Sequence, residues 1–237
     1  MRLSSRVVSL LAVAALPLAL SACSSGSSSD TASAKPTKAK NTNAGLLTGT
    51  QLKGVLAPAS VVPAGFTAEA DGSSDSGGEF VSASTRSTAK PDCTRLEATS
   101  WIQVSGYKGG ASFAQNDYVN QDKTEEVAQE VDVFRGDTAK TVMKSLESVA
   151  KECASFTDTD AHATVKVAGR STAGLGDEAY TMTLTSGAWE NGTTLIATRS
   201  GNAVVTVLST AGSDDGAAIA KKVTVRVLGS LKDKSAA

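Results

Sequence analysis

The side chains most able to do chemistry in this chain are three cysteines, one histidine and 24 carboxylates. Cys23 closes the run Leu20-Ser21-Ala22-Cys23. An aliphatic residue, two small residues and a cysteine form the pattern that a lipoprotein signal peptidase cuts. Lipidation at Cys23 would then place a diacylglycerol on the first residue of the mature chain. Acyl chains contribute roughly 0.8 kcal/mol per buried methylene, so two or three hold a protein firmly on a bilayer. Cys93 and Cys153 lack the Cys-x-x-Cys spacing of a redox pair. Zinc would need more ligands, and His162 is the only histidine. In an oxidising compartment the remaining pair is most simply a disulfide. Closing a loop of about 60 residues contributes roughly 4 kcal/mol in the chain-entropy picture.

A Ser-His-Asp triad would have to use His162, but no Gly-x-Ser-x-Gly elbow accompanies it. Asp158, Asp160 and His162 alternate, a spacing open to a metal site and equally to a polar stretch leading into a strand. The polar stretch is the better reading, so no metal and no cofactor is expected. Gly174-Leu175-Gly176 precedes Asp177-Glu178 and then a strand, whereas a phosphate-cradling loop precedes a helix. It reads as a turn that aims the next strand. Carboxylates paired for glycosidic chemistry stay open, because their separation is invisible in sequence. Among the ten aromatic residues, Trp101 falls on an apolar helical stripe and is assigned to the core. Trp189 sits with Glu190 and Asn191 at a hairpin end and is the possible ligand-binding residue.

The elements that position these residues begin after an export leader. Residues 1–6 carry Arg2 and Arg6 as a short basic region, and Val7 to Leu20 is a nearly all-apolar run too short for a comfortable span of about 20 residues. The expected divisions are a signal peptide over residues 1–22, the lipidated cysteine with a flexible Ser/Thr/Lys tether over 23–44, and one domain over 45–237. Removing Arg2, Arg6, Lys35, Lys38, Lys40 and Asp30 leaves the domain 18 basic and 23 acidic residues. That mild acidity argues against a nucleic-acid partner.

Within the domain, Thr48 or Thr50 can cap a short helix that ends before Pro58. Residues 63–78 are rich in Gly, Ser and Asp and read as loop. A helix is expected from Asp92 through Leu96, Trp101 and Val104. Ser112 to Val119 and Glu125 to Phe134 read as strands, the second with Val127, Gln129, Val131 and Val133 on one face. Glu126, Ala128, Glu130, Asp132 and Phe134 take the other. Val142, Met143, Leu146, Val149, Ala150 and Cys153 recur at helical spacing. Strands follow at Thr164 to Ala168, Ala179 to Thr185, Thr194 to Arg199 and Ala203 to Ser209, with Asn191-Gly192 suited to a tight hairpin. Asp214 opens a last helix, although its Val-Thr-Val segment is a poor helix former. Short turns between strands make the sheet mainly antiparallel. The fold class is therefore α+β: a single domain with a sheet of about six strands and packed helices.

Several of these pieces resemble the PknH-like extracellular sensor domain of actinobacterial envelope proteins. Leu46-Leu47 with Leu52 looks like its opening helix, and Cys93 leads a helix as there. Val131-Asp132-Val133-Phe134 precedes a helix that ends at Cys153. Arg199-Ser200-Gly201-Asn202-Ala203-Val204-Val205 looks like its late Arg-x-x-Asn-x-Val-Val strand. The family often carries a second disulfide, for which this chain has no cysteines. The resemblance implies a six-stranded, mainly antiparallel sheet, a groove for a ligand and no catalysis. The expectation is a non-enzymatic protein held by lipid on the extracytoplasmic face of the cell membrane, binding a small ligand or an envelope partner. An envelope hydrolase acting on glycan or peptidoglycan through paired carboxylates is the alternative, and a structural adaptor is a third reading.

Overall fold

A computed structural model describes residues 41–83, 86–99 and 101–235. Its centre is the valine-rich strand β4 (Glu126–Val133), every residue of which is buried. The expected alternation is present, but both of its faces are covered. Val127, Val131 and Val133 enter one apolar core, and Ala128 and Phe134 enter a second on the opposite side. The face carrying Glu126, Glu130 and Asp132 is thus buried rather than solvated.

Around β4 the sheet contains nine strands, all paired antiparallel, not the six expected. The longer ones are β3 (Ser112–Val119), β6 (Thr164–Ser171), β7 (Glu178–Ser186), β8 (Thr193–Ser200) and β9 (Ala203–Ser209). The additional three are β1 (Thr67–Ala68), β2 (Ser74–Asp75) and β5 (Ser155–Thr157). Strands of two or three residues are too short to display a period of two, so β1 and β2 lie hidden in the Gly/Ser/Asp-rich stretch. The order across the sheet is β1-β3-β4-β9-β8-β7-β6-β5, with β2 also on β3.

Helices cover both faces. On one side lie α1 (Gly49–Lys53) and α4 (Ala217–Ser235). Thr48 caps α1 in a reciprocal box with Gln51. In α4, Ala220, Val223, Val227 and Leu231 face the sheet. Thr224 satisfies its hydroxyl on the Ala220 carbonyl at 2.8 Å, and Val225 points outward at 52% exposure. Burial of the apolar stripe outweighs the poor helix propensity of this segment. On the other side lie α3 (Thr138–Glu152), a 3-10 turn (Cys93–Glu97) and α2 (Trp101–Val104). The single helix expected from Asp92 to Val104 is therefore broken. Ala98 is extended at φ -139, which lets Trp101 enter the core fully buried and bond Thr206 of β9 through its indole N–H.

Candidate functional site

The side of the sheet bearing α1 and α4 does not close at one end. The wall on one side is Gly45, Leu46 and Leu47, just before α1. The opposite wall is the last turns of α4, with Leu228, Leu231 and Lys232. Val133, Gly176 and the turn Ser200-Gly201-Asn202-Ala203 form the floor. Gly45 and Gly201 have open space where a Cβ would stand, and Ala203 adds only a methyl, so little fills the gap between the two helical elements. The result is an open, largely apolar groove of about 550 Å³. That volume lies in the range of small-molecule sites.

Both the wall and the floor are braced. Arg135 donates from Nε to Asn43 Oδ1 at 2.7 Å, and the Ser112 hydroxyl donates to the Leu47 carbonyl, fixing the 43–47 segment. Gly201 occupies the first central position of the two-residue β8–β9 hairpin at φ +58, where glycine is favoured. Arg199 holds that turn with Nε on Glu178 Oε1 and Nη1 on Asp177 Oδ2, both at 2.6 Å, and Nη1 also donates to the Gly201 carbonyl. Asp177 Oδ2 accepts the Gly201 N–H at 2.8 Å in return. The Gly174–Glu178 stretch is thus a turn whose carboxylates brace a hairpin, in agreement with its reading against a phosphate loop.

The sequence pointed to a different residue, Trp189. The structure half-buries it against the α3 core and ties its indole N–H to Asp158 Oδ2 at 2.9 Å. Its remaining surface lines a polar hollow of about 340 Å³ between the β3–β4 turn and the β7–β8 loop. Asn191-Gly192 does not form a tight hairpin. Residues 187–192 make a wider loop, opened by the reach of Trp189 to Asp158. Gly192 is required there for space, since a Cβ would lie 2.7 Å from the Leu184 carbonyl and 2.8 Å from the Asp215 carboxyl.

Cys93 and Cys153 form a disulfide with Cα atoms 5.5 Å apart. It ties the 3-10 turn to the end of α3, beside β5 and Asp158. Here the alternative reading finds a candidate pair of acids. Glu97 is pushed up to about 7 by burial and by the charges of Asp158 and Asp160, and its Oε1 is buried without a hydrogen-bond partner among the described residues. Burial also raises Asp158, but hydrogen bonds from Ala161, Trp189 and Asp160 outweigh it and hold the carboxyl below its ordinary value. Asp158 is only 2% exposed, and three donors occupy its two oxygens. An acid so engaged has no oxygen turned toward a substrate. The pair has the electrostatics of a catalytic couple without its geometry. His162 stands exposed on the neighbouring turn at φ +49, away from any triad. Cys23 and the apolar leader lie outside the described residues, and among those described no helix is long and apolar enough to cross a membrane.

No protein-family model matches the sequence, and no curated protein matches it as a relative. Among solved structures, the extracellular domain of PknH from Mycobacterium tuberculosis is similar, with a TM-score of 0.56 at 17% identity. The match covers 77% of this chain and 97% of that one. The chain therefore has the fold of that extracellular domain, an α+β arrangement on one antiparallel sheet. Three of the segments on which the resemblance rested meet in the structure. Leu46-Leu47, Val133 and the Ser200–Ala203 turn all line the apolar groove. Sequence reasoning had each piece but no signal that they converge, because the convergence depends on strand order.

Proposed function

We propose that this chain is a lipid-anchored envelope protein, held through Cys23, whose extracytoplasmic domain binds a small ligand or partner in the apolar groove without catalysing a reaction. The observation that carries the reading is the groove itself. It takes leucines from both walls, carries Ser200, Asn202 and Lys232 beside them, and is built on hydrogen-bonded elements. Two further points support it. The Leu20–Cys23 pattern and the basic, apolar leader support a location outside the cytoplasm, where the Cys93–Cys153 bond is at home. The fold is shared with an extracellular domain of PknH. Trp189 serves as a pin for the β7–β8 loop in this account.

The groove is tested with anilinonaphthalene sulfonate, an apolar anionic dye. Saturable binding at one site per folded chain is expected, and Leu228→Trp, which fills the groove, abolishes it. Absence of saturable binding, or equal binding by the filled variant, contradicts the reading. Anchoring is tested by palmitate labelling in the native host, which Cys23→Ser should eliminate.

A further inference from the structure

We infer, on the reading that the groove is the binding site, that its ligand is an anionic lipid of the membrane that holds the chain. The acyl chain lies between Leu46 and Leu47 on one wall and Leu228 and Leu231 on the other, and the headgroup meets Lys232.

Three observations point to this ligand. The first is the division of the lining, with Leu46, Leu47, Leu228 and Leu231 on the walls and the polar residues Ser200 and Asn202 of the floor and Lys232 of the α4 wall beside them. A water-soluble polar metabolite would leave the leucines uncovered, and a neutral hydrocarbon would leave the polar residues unused. The second is charge. Lys232 is exposed and forms no ion pair among the described residues, whereas Asp177, next in sequence to Gly176 of the floor, is taken up by Arg199 and the Gly201 N–H. Asp233 and Lys234, which follow on α4, offset one another. A domain with an excess of acidic residues thus offers a cation at the mouth of its apolar groove. The third is where the chain arrives. Gly45, the first residue of the groove wall, lies 22 positions after Cys23, a span of at most roughly 80 Å. An anchor at Cys23 raises the effective concentration of bilayer components at the groove mouth, an advantage that a soluble metabolite does not share.

The test uses the mature full-length chain carrying Cys23→Ser, so that its own acyl groups do not compete. The protein is incubated with phosphatidylcholine vesicles containing a minor fraction of phosphatidylglycerol, separated from them, and analysed for bound lipid by mass spectrometry. Enrichment of phosphatidylglycerol, approaching one molecule per chain, is expected. Leu228→Trp should lower the recovered lipid at least tenfold with an unchanged melting profile. If that variant does not fold, Leu46→Trp fills the groove from the opposite wall. Lys232→Glu should lower the preference for phosphatidylglycerol over phosphatidylcholine by about fivefold or more, as expected for one lysine at an anionic headgroup. Lipid recovery unchanged in the folded filled variant overturns the site, and an unchanged headgroup preference in Lys232→Glu overturns the headgroup contact. If the wild type carries no lipid but binds anilinonaphthalene sulfonate, the groove stands and the lipid falls. If it binds neither, both fall.

Discussion

At the scale of single residues, the buried polar groups separate into those that hold the fold and those that strain it. Gln129, fully buried on β4, donates to the Ala57 carbonyl and accepts the Ala57 N–H, each at 2.8 Å. It completes the backbone of a segment that has no strand partner, and Tyr118 adds a third bond at 2.9 Å. Gln129→Ala should cost about 2 to 4 kcal/mol by leaving the Ala57 N–H buried and unpaired beside a void, measurable by urea unfolding. A loss below about 1 kcal/mol would refute that role. Glu126 behaves in the opposite way. Burial, with the charges of Asp117 and Glu69, pushes it up to about 8. The folded state then holds a proton that the unfolded chain releases near pH 4.5. Between these values the native state binds more protons, so wild-type stability falls as pH rises. Glu126→Gln should match the wild type near pH 4 and exceed it by roughly 1 to 3 kcal/mol at pH 8, read from paired denaturation curves. Glu97, pushed up to about 7, should add a smaller drift of the same sign.

At the scale of elements, what was legible in the sequence depended on length and on position in the sheet. The six longer strands, α3 and α4 were legible from apolar pattern and turn signals because each runs for seven residues or more, although the strand read as Thr164 to Ala168 continues to Ser171. β1, β2 and β5 were not, being too short for any pattern, and they pair only because the longer strands present an edge to them. β4 showed the correct two faces, but the pattern did not reveal that both are covered, since the second layer over Glu130 and Asp132 comes from distant segments. The broken helix before Trp101 follows from the same cause, a tertiary demand overriding local propensity. The disulfide was legible from compartment and count, and it joins two elements that cover the same apolar core. Replacing both Cys93 and Cys153 by Ala should lower stability by about 2 to 4 kcal/mol. Thermal or urea unfolding of exported protein checks this, and two titratable thiols in the native wild type would contradict the bond.

At the scale of the whole molecule, two helical layers on one sheet, nine-stranded among the described residues, leave one end of one face open, between the segment before α1 and the end of α4. The sequence supplied the leucines, the glycines and the hairpin that form this groove, but their meeting depends on β4 lying beside β9, a pairing between strands about 70 residues apart. Trp189 drew notice because an aromatic beside Glu190 and Asn191 is visible in a string of residues, whereas a groove formed by segments distant in sequence is not. The central claim is that this groove is occupied in the cell. Native protein purified from its own envelope, with Leu228→Trp purified beside it, can be stripped of small molecules and both extracts compared by mass spectrometry. The account predicts a compound present with the wild type and missing from the folded variant. The same compounds in both extracts, or none in either, would contradict it.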